Sequence, residues 1–322
     1  MRRVFALLAC VMLPTISAAE DVSVRMLFWN IEAHGSDTDE VERLVKQKKD
    51  VDVWGFCEVE SREELREIEE AIESERDDVD FESKLGSAGS NPAGPIRLAI
   101  SYNKNRFRKI GDFQELSMVE VSNGNRPSLF VTLEGKATGQ RFIFMVNHLS
   151  RGNLRNNTRQ SKIINQWARQ QDLPVVMMGD LNQDFPIDPN DTNPNHPTRP
   201  VPRPGFFDLQ SGNQFFWLQP EELRKTQHDD RFNSILDFVM IHNAPIGWKG
   251  TSTILEVEGD EPADENDFDD DDESPDHRPV DAVFSFPGTP PPGTTPKAKM
   301  LERIQKLENE LSELKALINQ LD

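Results

Sequence analysis

Apolar residues between positions 20 and 286 gather into short runs separated by polar segments. Residues 24–31 and 51–59 are dense in β-branched and aromatic side chains. So are 97–102, 129–134, 141–147, 175–178, 235–241 and 280–286. Each run predicts a strand. Helical spacing takes over at 38–49, where Val41, Leu44 and Val45 share a face, and again at 156–171. Between them, Ser61-Arg62-Glu63-Glu64 has the form of a capping box and predicts a helix running to about residue 75. Several strands adjoin with no helix between them, which predicts an α/β sandwich and not a simple parallel sheet. Seven prolines within 186–204 predict an irregular loop.

The two ends follow different patterns. Arg2 and Arg3 precede an uninterrupted apolar run over 4–13, and Ser17-Ala18-Ala19 supplies small residues before Glu20. Residues 1–19 therefore read as a secretory leader, and the expected location is secreted or periplasmic. Leu7-Leu8-Ala9-Cys10 also has a lipoprotein-box form, though with a very short apolar region. No run approaches the ~20 apolar residues of a transmembrane helix. With the leader removed, Cys57 is the only cysteine left, so no intrachain disulfide is expected. At the other end, five prolines within 287–296 mark an extended linker over 287–299. Met300, Ile304, Leu307, Leu311, Leu314, Ile318 and Leu321 then alternate spacings of four and three. That heptad seam over 300–322 predicts a short coiled coil and a homo-oligomer; the competing reading is an amphipathic helix folded back on the domain.

Charge changes the picture only once it is partitioned. The 322-residue chain carries 36 Lys and Arg against 56 Asp and Glu, a net −20, which argues against electrostatic coating of nucleic acid. Much of the excess is local. Residues 256–276 hold 13 acids and no base, and 58–82 hold 13 acids and three bases. By contrast, 135–171 hold seven bases and no acid, and 83–111 hold six and none. The rest of the chain can therefore carry a basic surface for a polyanion. The 256–276 window reads as a solvated insertion, and it lacks the spacing of an EF-hand loop.

Acidic, amide and imidazole residues recur where the predicted strands end. Asn30, Glu58, Asn147-His148 and Gly179-Asp180-Leu181-Asn182 close strands. Asp237 lies within 235–241, and Asp276-His277 precedes the last strand. Strand ends hold side chains rigidly along one sheet edge. Carboxylates and amides suit Mg²⁺, Mn²⁺ or Ca²⁺, and paired histidines can act as base and acid. Arg159, near the start of the helix after His148, is a candidate phosphate contact, with Arg97 a weaker one.

These blocks carry a resemblance. Phe28-Trp29-Asn30-Ile31, Cys57-Glu58-Val59, Asn147-His148-Leu149, Gly179-Asp180-Leu181-Asn182, Leu236-Asp237-Phe238 and residues 274–280 (Ser-Pro-Asp-His-Arg-Pro-Val) occur in one order. Over about residues 24–286 the chain resembles the endonuclease/exonuclease/phosphatase superfamily. The resemblance implies a catalytic domain over 20–286, built as a four-layered α/β sandwich of two mixed sheets flanked by helices. It also implies hydrolysis of phosphate esters with a divalent cation, Mg²⁺ or else Mn²⁺ or Ca²⁺. Glu58 would be the principal metal ligand, with Asn30 beside it and Asp276 completing the site. His277 would activate water and Asp237 would orient it. Asp180 and Asn182 would position water and phosphorus, and His148 would donate to phosphoryl oxygens or to the leaving alkoxide. A second metal near Asp180, Asn182 and His277 stays open. The expected substrate is nucleic acid, cut by an endonuclease. The alternatives are a phosphatase or sphingomyelinase-like enzyme on lipid or small phosphate esters, and an inactive binding scaffold.

Overall fold

The computed structural model describes residues 21–34, 36–74, 76–88, 96–187, 201–227, 234–256 and 275–287. The leader, the proline-rich linker, the heptad segment, residues 257–274 of the acidic window and most of the proline-rich loop lie outside the described residues.

Twelve strands and four helices form the described body. In chain order they are β1 (Val22–Asn30), α1 (Thr38–Lys46), β2 (Val53–Val59), α2 (Arg62–Glu73), β3 (Phe81–Leu85), β4 (Arg97–Asn103), β5 (Phe107–Leu116) and β6 (Ser128–Gly135). Then follow β7 (Arg141–His148), α3 (Leu154–Ala168), β8 (Val175–Pro186), α4 (Pro204–Gln210), β9 (Phe215–Trp217), β10 (Ser234–His242), β11 (Lys249–Ile254) and β12 (Val280–Phe286). Two six-stranded sheets result, in the orders β11-β12-β1-β2-β4-β3 and β5-β6-β7-β8-β10-β9. Each is mixed: β1–β2 and β7–β8 pair in parallel, and the remaining pairs run antiparallel.

The layers follow from side-chain alternation. On β1, Met26 and Phe28 join the core between the sheets, whereas Leu27 and Trp29 join a second cluster with Val41, Leu44, Leu65 and Ile68 of α1 and α2. Period-two alternation with both faces buried reads in sequence as a continuous apolar run. On the far side, Ile164 and Ala168 of α3 and Phe206 and Leu209 of α4 close the core of the second sheet. Helix, sheet, sheet and helix make the expected four-layered sandwich. Where the sheets meet, a Cβ on Gly55 would lie 2.6 Å from Val146 Cγ2, so only glycine fits that approach.

Ser61 caps α2 as expected, its Oγ accepting from the Glu64 backbone N–H at 3.0 Å. The Glu64 carboxylate reaches back to the N–H of Glu60, one residue before the cap. Boundaries move: α1 stops at Lys46, α2 stops at Glu73, α3 runs from Leu154 to Ala168 behind an Asn153 cap, and β8 continues to Pro186, so Asp180 and Asn182 lie within a strand and do not close one. Strands β3, β5, β9 and β11 and helix α4, whose Pro204 sits at its start, are additions to the sequence reading.

Candidate active site

Parallel strands end, and antiparallel strands begin, along one edge of the sandwich. This is why residues far apart in the chain converge. In the second sheet, His148 pairs in register with Asp180, and Asp180 with Asp237, so three neighbouring strands place the three groups side by side. In the first sheet, Asn30 ends β1 beside Cys57 of β2, with Glu58 next along the chain. Asp276-His277 leads into β12, and Trp29 Nε1 donates to the His277 carbonyl at 2.7 Å.

Glu58 sits at a register shift between Cys57 and Val59, with φ of +66°. That β-bulge places an acid in a left-handed conformation unfavourable to non-glycine residues, a form of strain that collects at functional sites. Asn30 Nδ2 donates to Glu58 Oε1 at 3.3 Å, and Asn30 Oδ1 accepts from the Glu32 N–H at 3.1 Å. His148 links the two sheets: its Nδ1 lies 3.6 Å from Glu58 Oε1, and its Nε2 lies 3.3 Å from Asp180 Oδ2. His277 Nδ1 lies 2.8 Å from Asp237 Oδ2, both buried, and its Nε2 lies 3.8 Å from Asp276 Oδ1. Asn182 donates from Nδ2 to the Leu149 carbonyl and from its N–H to Asp180 Oδ1, each at 3.0 Å.

Electrostatics separate the two histidines. Burial lowers the pKa of His148 well below the usual imidazole value, and the Arg126 guanidinium lowers it further. Burial also opposes charge on His277, but Asp237 and Asp276 reverse the effect and raise its pKa to about 10. Burial, reinforced by the charge of Asp237, pushes Asp180 up to about 7. In the metal-free protein one imidazole is therefore held neutral and the other cationic.

The structure brings Asn30, Glu58, His148, Asp180, Asn182, Asp237, Asp276 and His277 to this edge. It does not bring Arg159: that side chain is exposed on α3, with no hydrogen bond or ion pair to these groups among the described residues. Helical geometry explains the difference, since buried Asn157 and Gln160 of α3 face the sheet and Arg159 points away. The arginines that reach the site are others. Arg126, buried ahead of β6, places Nη1 2.5 Å from His148 Nδ1, and Arg151 reaches Asn182 Oδ1 at 3.4 Å. Two further residues lay outside the sequence reading. Glu32 Oε2 accepts from the Asp276 N–H at 2.9 Å, and Gln227 Nε2 donates to Asp276 Oδ2 at 2.9 Å. Arg151, within the acid-free stretch 135–171, had a signal in the sequence; Arg126, Glu32 and Gln227, in connecting segments, had none.

Among the described residues no three or more His, Cys, Asp or Glu side chains converge as a ready metal cage. The donor chemistry nonetheless fits a hard cation. Asn30, Glu58 and Asp276 offer amide and carboxylate oxygens, and Mg²⁺ characteristically takes one or two carboxylates and keeps several waters. Glu58 has no Lys or Arg partner among the described residues, and it lies close enough to Asp180 to help raise that group's pKa. A cation would offset this concentration of negative charge.

No protein-family model matches the sequence, and no curated protein matches it. Solved structures do. An endonuclease/exonuclease/phosphatase family protein from Bacteroides thetaiotaomicron aligns at a TM-score of 0.59 and 14% identity, covering 84% of this chain and 97% of its own. This chain has the endonuclease/exonuclease/phosphatase fold. Proteins of different activity share that fold with it. A mannosyl-6-phosphatase from the same bacterium aligns at a TM-score of 0.56 and 15% identity, over 82% of this chain and all of that one. D. rerio TDP2, complexed with a single-strand DNA product, aligns at 0.57 and 14%, over 82% and 99%. At such identities the fold is shared, and activity has to be argued from the site.

Proposed function

We propose that this chain is a divalent-metal-dependent phosphoesterase that cleaves phosphodiester bonds, with nucleic acid as its substrate and endonucleolytic cleavage as its mode. The observation that carries the reading is the pairing of two differently tuned histidines on one rigid edge, His277 against Asp237 and His148 against Arg126 and Asp180.

The residues divide the work. Asp237 accepts at His277 Nδ1 and fixes the ring, so that Nε2, once its own proton is released, is free to take one from an attacking water. Positive charge countering Asp276 would remove one of the causes that hold the His277 proton in place. Arg126 against His148 Nδ1 leaves Nε2 as the edge that donates to a phosphoryl oxygen or the leaving alkoxide. Asn182, tied to Leu149 and Asp180, holds the left-handed backbone kink that follows Asp180 within β8 in place. Glu58, Asn30 and Asp276 would hold the cation, which when bound supplies Lewis-acid charge neutralisation.

Nucleic acid is favoured by the acid-free basic stretches 83–111 and 135–171. The leader-like residues 1–19 support a secreted or periplasmic enzyme, and the heptad over 300–322 supports a homo-oligomer. The mannosyl-6-phosphatase among the structural neighbours favours a second reading, a phosphatase on small phosphate esters. The test is incubation with plasmid DNA, bis-p-nitrophenyl phosphate, p-nitrophenyl phosphate and sphingomyelin, each with Mg²⁺, Mn²⁺ or EDTA. Metal-dependent cleavage of the first two is expected. Turnover of the monoester alone would establish the second reading, and no turnover of any ester would remove both.

A further inference from the structure

A groove of about 890 Å³ lies in the seam where the β3–β4 edge of the first sheet meets the β5–β6 edge of the second. Its lining Arg97 pairs with Val59, the neighbour of Glu58, and its lining Leu129 pairs with Val146, two residues before His148, so the groove lies on the same sheet edge as the candidate active site. Leu85, Phe113 and Leu129 form its apolar floor. Arg62, Lys84 and Arg97 stand around its mouth. Two of these cations belong to the acid-free stretch 83–111, which the catalytic residues leave unexplained.

The acids at the margin already have donors. Glu115 accepts from the Ser87 N–H at 2.5 Å and from Ser87 Oγ at 2.8 Å. Glu60 accepts from the His34 N–H at 2.5 Å, with His34 Nδ1 at 2.6 Å. Arg62 and Lys84, by contrast, are exposed with no ion-pair partner among the described residues. Arg97 is fixed by a hydrogen bond from its Nη1 to the Glu60 carbonyl. A Cβ at Gly86 would lie 3.2 Å from the Leu98 carbonyl oxygen and 3.3 Å from Glu115 Oε1, so the wall packs tightly there.

An apolar floor beneath unpaired cations is the arrangement that takes a nucleotide, with base or sugar on the floor and phosphate at the rim. A lipid surface calls for the reverse, apolar side chains standing outward. The volume is at the large end for a small-molecule site and far exceeds a single phosphoryl group. Resting on the phosphodiesterase reading above, we infer that this groove is a subsite for the nucleotide adjoining the scissile phosphate of a single-stranded polynucleotide. Arg62 and Lys84 bind its phosphate.

The test compares wild type with Arg62→Ala/Lys84→Ala on two substrates, bis-p-nitrophenyl phosphate and a single-stranded 12-mer oligonucleotide, over a range of salt. Both side chains are exposed and outside the catalytic cluster, so hydrolysis of bis-p-nitrophenyl phosphate stays within about two-fold of wild type, the scale of a neutral surface change. The oligonucleotide kcat/KM falls about 10-fold or more, and its log–log salt slope becomes shallower by about 0.7, as expected for one phosphate no longer neutralised on a single strand. Arg62→Glu/Lys84→Glu deepens the oligonucleotide loss and still spares the small ester. Unchanged oligonucleotide kinetics in both variants, or a parallel loss on both substrates, overturns the subsite. So does a wild-type enzyme that cleaves bis-p-nitrophenyl phosphate and no oligonucleotide, which would leave the phosphodiesterase reading intact. A wild type inactive on both removes the reading and the subsite together.

Discussion

Asp180 and Asp237 face each other across the antiparallel β8–β10 pair, and each lies against a different histidine, His148 and His277. Two carboxylates at adjacent register positions repel, and part of the upward shift of Asp180 comes from Asp237. The pair thus couples the two halves of the site. His277→Ala should lower kcat by about 10²–10⁴-fold, the usual loss of a general base. Asp237→Asn should lower it through the wrong imidazole tautomer. Steady-state kinetics on bis-p-nitrophenyl phosphate, with circular dichroism to confirm folding, checks both. Near-wild-type turnover in either variant would contradict the assignment.

Stability of the metal-free protein should fall as pH rises. His277 has its pKa raised from 6.5 to about 10, so its contribution is whole below 6.5 and is lost as pH climbs through about 10. Asp180, raised from 3.8 to about 7, acts in the same sense, and its contribution is gone by about pH 7. Melting temperatures in EDTA should therefore decline between pH 7 and 10, chiefly through His277. Asp237→Asn should flatten that decline; an equally steep decline in the variant would show that Asp237 is not its cause.

Removing the cation should abolish cleavage, and Mg²⁺ or Mn²⁺ should restore it. Glu58→Gln keeps the shape and removes the charge, so Mn²⁺ binding by titration calorimetry should weaken by at least about 10-fold, the scale of one lost charge-assisted ligand. Wild-type Mn²⁺ affinity in Glu58→Gln would exclude Glu58 as a ligand.

Gln227 holds Asp276 from outside the sequence blocks. It pairs with His277 across an isolated bridge, and its Oε1 is buried without a partner among the described residues. Gln227→Met preserves length and removes both hydrogen-bonding groups. It should lower kcat by roughly 10–100-fold, as displacement of a positioned group does, with KM nearly unchanged. A rise in KM at constant kcat would assign Gln227 to substrate binding instead.

Gly179 precedes Asp180, and a Cβ there would lie 2.2 Å from the Asn147 carbonyl oxygen. Backbone cannot yield as a side-chain tip can, so Gly179→Ala should destabilise by about 1–3 kcal/mol or more. Urea denaturation measures this. Full stability would mean that β7 and β8 are free to separate.

Legibility from sequence tracked burial. Strands with two buried faces, such as β2 and β10, stand out as apolar runs, whereas β8 does so only over 175–178 and continues through polar residues to Pro186. The missed β5 is half exposed, carries Gly111 at φ +75° and shifts register between Ile110 and Gln114, so neither alternation nor density marks it. The edge strands β3, β9 and β11 are short or polar on one face. Site residues on strands, at the ends of β1, β2 and β7 and inside β8 and β10, were readable because strand position fixes direction. Arg126, Glu32 and Gln227 reach the site from connecting segments whose paths only the tertiary fold sets. Arg159 shows the converse: a basic residue in the right helix, on the wrong face.

The β1–β12 pairing has a practical consequence. Val22 lies opposite Phe286, and both stand at the far end of their strands from Asn30. At about 3.3 Å per residue, the nine residues of β1 place that end roughly 25 Å from the catalytic edge. A purification tag, a surface tether or a fused carrier attached at either end of the body would start from the side opposite the chemistry, leaving the approach of a long polymer clear at its root.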